Sequence, residues 1–243
     1  MDNTALVIST HDRSEDLWRP LEMTYKKFWS NIKYPIYLTT NIKSYNSDLF
    51  HSLKIGDEVS WSDNLIKSLN KIDNKYIILT FDDLFLTGEV NNYQIDELVD
   101  YAIKNDFNYL QFYRSISRGR RINSKLFKKN LSTVYRNSTI WSFWKKEILI
   151  DLLERKEDAW QFETIGNRRS SKYADFYSTR SNIIPFKNGV IKGRWDPLVK
   201  NKLKNMNIEC SESRANLTFL ETVNHRFLDL QFDILTSIIH FLY

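Results

Sequence analysis

Apolar, β-branched runs alternate with amphipathic stretches over the first half of the chain. Ala5-Leu6-Val7-Ile8-Ser9-Thr10 has the composition of a buried strand. His11-Asp12-Arg13-Ser14 follows it, and helical spacing then covers about Glu15 to Trp29. Pro35-Ile36-Tyr37-Leu38-Thr39-Thr40 predicts a second strand, ending at Asn41. Strand, helix, strand is the start of a parallel α/β sheet. Leu65, Ile66, Leu69 and Ile72 share one helical face, with Ser62 as the expected cap. Tyr76-Ile77-Ile78-Leu79-Thr80-Phe81 is the clearest strand and runs directly into Asp82-Asp83. Ile95, Leu98, Val99, Ala102 and Ile103 mark the next helix. Asn108 to Tyr113 is a further strand, with Arg114 at its end.

The alternation then stops. Ser115 to Asn130 carries Arg118, Arg120, Arg121, Lys125, Lys128 and Lys129, and reads as a basic loop or a pair of short strands. Thr133-Val134-Tyr135 and Thr139-Ile140-Trp141 are expected as short strands before a helix near Lys146–Glu154. Asn167 to Lys172 reads as a polar loop, and Phe186 to Trp195, with Gly189 and Gly193, as a loop or hairpin. Asn224 to Tyr243 is helical and apolar on more than one side. No repeat or Pro/Ser linker interrupts the chain, so the expected organisation is one domain over 1–223 with a C-terminal helix over 224–243.

A chain of 243 residues suits one α/β domain with a substantial core. Hydrophobic residues make up 42% and charged residues 27%, the balance of a globular protein. One cysteine, Cys210, allows no internal disulfide and no thiolate metal site, which points to a reducing compartment. The opening residues have no basic segment followed by an apolar one, and no apolar run reaches spanning length, so a cytoplasmic location is expected. The net charge of +5 is compatible with phosphorylated ligands, anionic lipid or nucleic acid. Aromatics are high at 14%, with seven Trp; their flat faces suit sugar rings or bases, although most such residues fill cores.

Ligands of open α/β sheets bind beyond the carboxyl ends of strands. Three polar clusters fall at such ends: His11-Asp12-Arg13, Asp82-Asp83, and Arg114. Adjacent carboxylates repel unless a cation or basic group compensates, and hard cations bridge carboxylates to phosphates. Asp82-Asp83 therefore reads either as metal-assisted chemistry on a diphosphate or as an acidic turn. Glu163, between Trp160 and Phe162, is either a general base raised by desolvation or a helix-surface acid. Arg194-Trp195-Asp196 suits a phosphate clamp, or a loop anchored by its Trp.

In their order along the chain these clusters resemble the GT-A-type glycosyltransferases of bacterial capsule and lipopolysaccharide gene clusters. The resemblance rests on Val7-Ile8-Ser9-Thr10-His11-Asp12, Trp61-Ser62-Asp63-Asn64-Leu65 and Tyr76 through Leu86. Ser138-Thr139-Ile140-Trp141, Lys145 through Leu149 and Ala159-Trp160-Gln161-Phe162-Glu163 complete it, so that it spans roughly Ala5 to Trp195. It implies a mainly parallel GT-A-like sheet flanked by helices, and a transferase using a nucleotide-sugar donor, inverting at the sugar. It implies that Thr10, His11, Asp12, Asp63, Asp82, Arg114 and Arg194 contact the donor. Asp83 would hold Mn²⁺ or Mg²⁺, Glu163 would act as base with Asp82 at the sugar, and Trp141 and Trp160 would meet the acceptor. The acid pair is Asp-Asp rather than Asp-x-Asp, and no Gln-x-x-Arg-Trp follows Glu163; Lys192-Gly193-Arg194-Trp195 is a loose echo.

On this resemblance the acceptor is a surface-polysaccharide or lipid-linked saccharide, and nucleic acid is not a partner. The basic Arg118–Lys129 stretch is a candidate for peripheral contact with an anionic membrane face. The C-terminal helix is open to three readings: a membrane-interface element, a homodimer contact, or a piece of the core. Two rival functions use the same residues. A metal-dependent nuclease would employ Asp82, Asp83 and Glu163, and a non-enzymatic assembly protein would need none of them.

Overall fold

Strand β1, Thr4–Ser9, is buried at every position because it lies between two hydrophobic layers. Leu6 and Ile8 face one core and Ala5 and Val7 the other, as the two-residue period of a strand requires. The computed structural model describes residues 3–116 and 119–242, without the side chains of 233, 236, 237 and 239–242; Arg118 of the basic stretch lies outside the described residues.

Helix α1, Glu15–Phe28, places Leu17, Trp18, Leu21 and Tyr25 on the first core. Strands β2, Ile36–Thr40, and β3, Phe50–Lys54, follow in parallel pairing. Helix α2, Trp61–Asn70, is capped by Ser60, whose hydroxyl accepts from the Asp63 N–H at 3.1 Å. Ser62, the expected cap, is instead buried in the first turn, where its Oγ accepts from the Glu157 N–H. Strand β4, Tyr76–Phe81, pairs with β1 over its full length, and the short strand β5, Leu84–Leu86, follows the turn at Asp82-Asp83. Helix α3, Asn92–Lys104, leads to strand β6, Tyr109–Gln111.

The basic stretch is a hairpin of β7, Gly119–Arg121, and β8, Leu126–Lys129. The triplets 133–135 and 139–141 are not strands. Tyr135 and Trp141 have positive φ angles of 50° and 40°, which break an extended run. Strand β9 is Ser142–Lys145, followed by α4, Lys146–Leu152, and α5, Ala159–Thr164. The expected loop at 167–172 lies in a 3₁₀ helix, Gly166–Lys172. Strand β10, Phe176–Thr179, then enters the main sheet, while β11, Phe186–Asn188, pairs with β5. A hairpin of β12, Val190–Ile191, and β13, Arg194–Trp195, turns at Lys192 and Gly193, both left-handed. Helix α6, Pro197–Asn205, and helix α7, Phe219–Leu242, end the chain.

The main sheet has nine strands in the order β3-β2-β1-β4-β9-β6-β10-β8-β7. Strands β9 and β8 run against the rest, giving a mixed sheet in which most strands point one way. The reversal at β9 matters for the site. Its first residue, Ser142, pairs with Leu79 and Gln111, so the segment before it is delivered to the same edge where β4 ends.

Candidate active site

At the carboxyl end of the sheet, β1 and β4 stop side by side, and their next residues form the floor of a cavity of about 410 Å³. That volume is in the range of small-ligand pockets. Asp82 and Asp83 line it together with His11, Arg13, Ser14, Lys192 and Arg214. Asp82 is 8% exposed, and the Thr10 hydroxyl donates to its Oδ2 while itself accepting from Trp18 Nε1 at 3.0 Å. No donor from another residue reaches the Asp83 carboxylate among the described residues; its backbone carbonyl accepts from the Gly189 N–H at 2.7 Å.

Burial pushes both carboxyls above the usual range. For Asp82 the Thr10 hydroxyl, His11, Ser14 and Arg214 oppose the rise, whereas for Asp83 the neighbouring Asp82 adds to it. Arg214 is fixed by a bidentate pair with Asp16, Nε to Oδ2 at 2.8 Å and Nη2 to Oδ1 at 2.9 Å. A fork locked in this way presents its charge to the cavity at little further cost in side-chain entropy. Sequence reading missed Arg214 and Lys192. Arg214 sits in an irregular Ser-Glu-Ser-Arg stretch with no period to mark it.

Thr10, His11, Asp82 and Asp83 thus come together as expected, and the other predicted donor contacts do not join them. The Asp12 carboxylate accepts from the Asn41, Ile42 and Lys43 N–H groups at 2.8 to 3.0 Å. Burial raises its pKa, but those three bonds outweigh it and hold Asp12 below the usual carboxylate range. Asp63 is held low by the Ser60 hydroxyl and the Lys156 N–H, and so braces the loop before α5. Arg194 forms a bidentate pair with Glu221 on α7, at 2.9 and 2.6 Å, which turns its guanidinium to the C-terminal helix. Arg114 follows β6 on the same sheet edge, and its N–H donates to Asn182.

Glu163 stands on α5 beside the segment that β9 brings to this edge. Its Oε1 accepts from Ser138 Oγ at 2.8 Å, from the Thr139 N–H and from Thr139 Oγ1 at 2.7 Å. All of the donors meet one oxygen, which fixes the carboxylate and leaves Oε2 without a protein donor among the described residues. Trp141 corrects an expectation: it is 0% exposed and packs against Tyr25, Trp29 and Phe186, so it has no surface to offer an acceptor. Trp160 is 66% exposed and lines a recess with Thr164, Ile165 and Arg168.

Among the described residues no group of three or more His, Cys, Asp or Glu side chains could hold a metal ion. A pair of carboxylates is nevertheless the protein share of many Mg²⁺ sites, where substrate phosphate and water supply the rest. The undonated Asp83 carboxylate beside Asp82 has the oxygens such a site needs.

No protein-family model matches the sequence, and no curated protein matches it. Among solved structures, UDP-glucose pyrophosphorylase complexed with UDP-glucose aligns over 77% of this chain and 92% of its own, at 9% identity and a TM-score of 0.52. The fold is GT-A-like. S. aureus TarS 1-349 aligns over 72% of this chain at 10% identity and a TM-score of 0.47, and its complex with UDP-GlcNAc at 11% and 0.48. The chain spans 60% of TarS 1-349. At 9% identity the likeness to UDP-glucose pyrophosphorylase shows the fold alone. In a GT-A-like sheet the acid pair sits beyond the central strand β4, where the strand-end rule for ligands places a site.

No helix among the described residues is long and apolar enough to cross a membrane.

Proposed function

We propose that this protein is a nucleotide-sugar-dependent glycosyltransferase that transfers a sugar, with inversion, to a hydroxyl of a surface-polysaccharide or lipid-linked saccharide. The observation that carries the reading is the acid pair Asp82-Asp83 opposite the locked Arg214 in one strand-end cavity. The pairing suits a nucleoside diphosphate. Arg214, held by Asp16, and the exposed Lys192 supply positive charge for its phosphates, and Asp83 with Asp82 supplies oxygens for Mn²⁺ or Mg²⁺. When bound, such a cation would neutralise the charge that develops on the departing diphosphate.

The residues divide the remaining work. Asp82, held by Thr10, is the nearer of the pair to the first strand and is the candidate contact for the donor sugar. Glu163 takes the proton of the acceptor hydroxyl on Oε2 as that oxygen forms its bond to the anomeric carbon. The bond from that carbon to the diphosphate oxygen breaks on the opposite side. Ser138 and Thr139 orient the base through Oε1. Trp160 offers an exposed indole face one helical turn from Glu163 for an acceptor ring.

Calorimetric titration with UDP, GDP, CMP and dTDP, each with Mn²⁺ and with chelator, tests the reading. Binding of one nucleotide, weakened by chelator, is the expected result. Failure of all four to bind folded protein would sink it.

A second reading, nucleotidyl transfer, is favoured by the shared fold of UDP-glucose pyrophosphorylase. The products separate the two. Pyrophosphate with a bound nucleotide sugar gives a nucleoside triphosphate and a sugar phosphate in nucleotidyl transfer, and a glycosyltransferase releases a nucleoside diphosphate.

A further inference from the structure

Helix α7 is anchored at its start, and several large apolar side chains along it are exposed. Glu221 takes both hydrogen bonds from Arg194, and Arg226 reaches the buried Asp196, which ties the first turns to the hairpin and to α6. Leu220, Val223, Phe227, Leu230 and Ile234 then recur at alternating spacings of three and four, each 48% to 73% exposed. Leu228 and Leu235, also exposed, widen this stripe. Among the described residues these form the longest run of exposed large hydrophobics, and surfaces of this kind mark interaction sites.

Charge and spacing choose the occupant. Helices that lie in a bilayer interface carry Lys and Arg on their polar face. From Phe227 to Tyr243 the sequence has Asp229 and Asp233 and no Lys or Arg. An anionic leaflet repels such a segment. The three-four alternation is the 3.5-residue repeat with which one helix packs along another. We infer that α7 pairs with the α7 of a second copy of this chain, the seam being Leu220, Val223, Phe227, Leu230 and Ile234.

The size of the contact sets its strength. A 24-residue helix is about 36 Å long and about 10 Å wide, so one face covers roughly 360 Å². That is about half of what each partner buries in an interface of standard size. A contact of that size suits a dimer that forms and separates reversibly.

Sedimentation equilibrium from about 1 to about 100 µM tests the pairing. The mass is expected to rise from 29.1 kDa towards twice that value. The double variant Leu230→Asp, Ile234→Asp is expected to raise the dissociation constant at least tenfold while the melting temperature measured at 1 µM or below stays unchanged, because both side chains are exposed in the single chain. If the Asp variant unfolds, Leu230→Gln with Ile234→Gln replaces it. A wild-type protein that stays at 29.1 kDa throughout overturns the inference, as does a folded double variant that dimerises like wild type. So does a monomer that co-sediments, through these same two residues, with vesicles of phosphatidylglycerol and phosphatidylethanolamine.

Discussion

The Thr10 hydroxyl donates to Asp82 and ties the end of β1 to the end of β4 across the top of the sheet. Asp82 is thereby given a partner and Asp83 is left to a ligand. This asymmetry within an adjacent pair predicts that the two aspartates fail differently. Asp83→Ala is expected to abolish the metal-dependent part of nucleotide binding and to lower turnover by roughly 10²-fold or more, since charge on the leaving group goes unmatched. Asp82→Ala also takes the acceptor from the part-buried Thr10 hydroxyl, so it is expected to lower the melting temperature as well. Titration calorimetry and thermal melts on the two variants separate these outcomes.

Glu163→Gln keeps the shape of the side chain and removes its basicity. Transfer is expected to fall by about 10² to 10⁴-fold, the usual contribution of a general base, with nucleotide affinity unchanged. Undiminished transfer in this variant would remove Glu163 from the chemistry.

Arg214→Ala is expected to weaken nucleotide binding by about 1.5–3 kcal/mol, the scale of a charge-assisted hydrogen bond, and to leave Asp16 unpaired. Arg194→Ala breaks the pair with Glu221 and is expected to leave nucleotide affinity within about twofold, since that pair is half-exposed and away from the cavity. Equal losses in the two variants would contradict the site as drawn.

Burial raises both carboxyls of the acid pair and repulsion from Asp82 raises Asp83 further, and the sign of the consequence follows from linkage. With a raised pKa the native state holds more protons than the unfolded chain above about pH 4, so stability falls as pH rises through that window. Asp83→Asn removes one titrating group and its repulsion. It is expected to raise the melting temperature near neutral pH by more than at about pH 5. Mn²⁺, which favours the ionised pair, should stabilise wild type most at the higher pH, and melts with and without the ion check this.

The two Trp residues expected at the acceptor should behave in opposite ways. Trp141→Ala opens a cavity in the core among Tyr25, Trp29 and Phe186 and is expected to cost about 3–5 kcal/mol in a denaturant titration. Trp160→Ala, at an exposed position, is expected to leave stability within about 0.5 kcal/mol and to raise the KM for acceptor alone.

What the sequence made legible follows from periodicity. β1, β4, α1, α2 and α3 carry apolar residues at strict strand or helix spacing and lie where they were expected. β3 reads Phe-His-Ser-Leu-Lys and lies at one end of the sheet, with three of its five positions polar, and it leaves no such trace. The triplets at 133–135 and 139–141 have strand composition but fold as turns, because composition does not report a positive φ. At the site, Thr10, His11, Asp82 and Asp83 were legible because they follow strong strands directly. Arg194 was misplaced because its partner, Glu221, stands on a helix whose docking no local pattern reveals. Arg214 was missed for the same reason, its partner Asp16 lying near the other end of the chain.

That last contact has a bearing on how the protein is made. Asp16 and Arg214 are 198 positions apart, so the cation that completes the cavity is synthesised long after the strands that present the acid pair. Thr10 and Asp82, which tie together the strands presenting the acid pair, are 72 positions apart, and contacts of still longer sequence separation come later. A nascent chain would hold the two carboxylates with no Arg214 beside them until residue 214 has been made and has folded back. On the proposed function, a chain cut short before Arg214 would carry the acid pair without the cation proposed to meet a diphosphate.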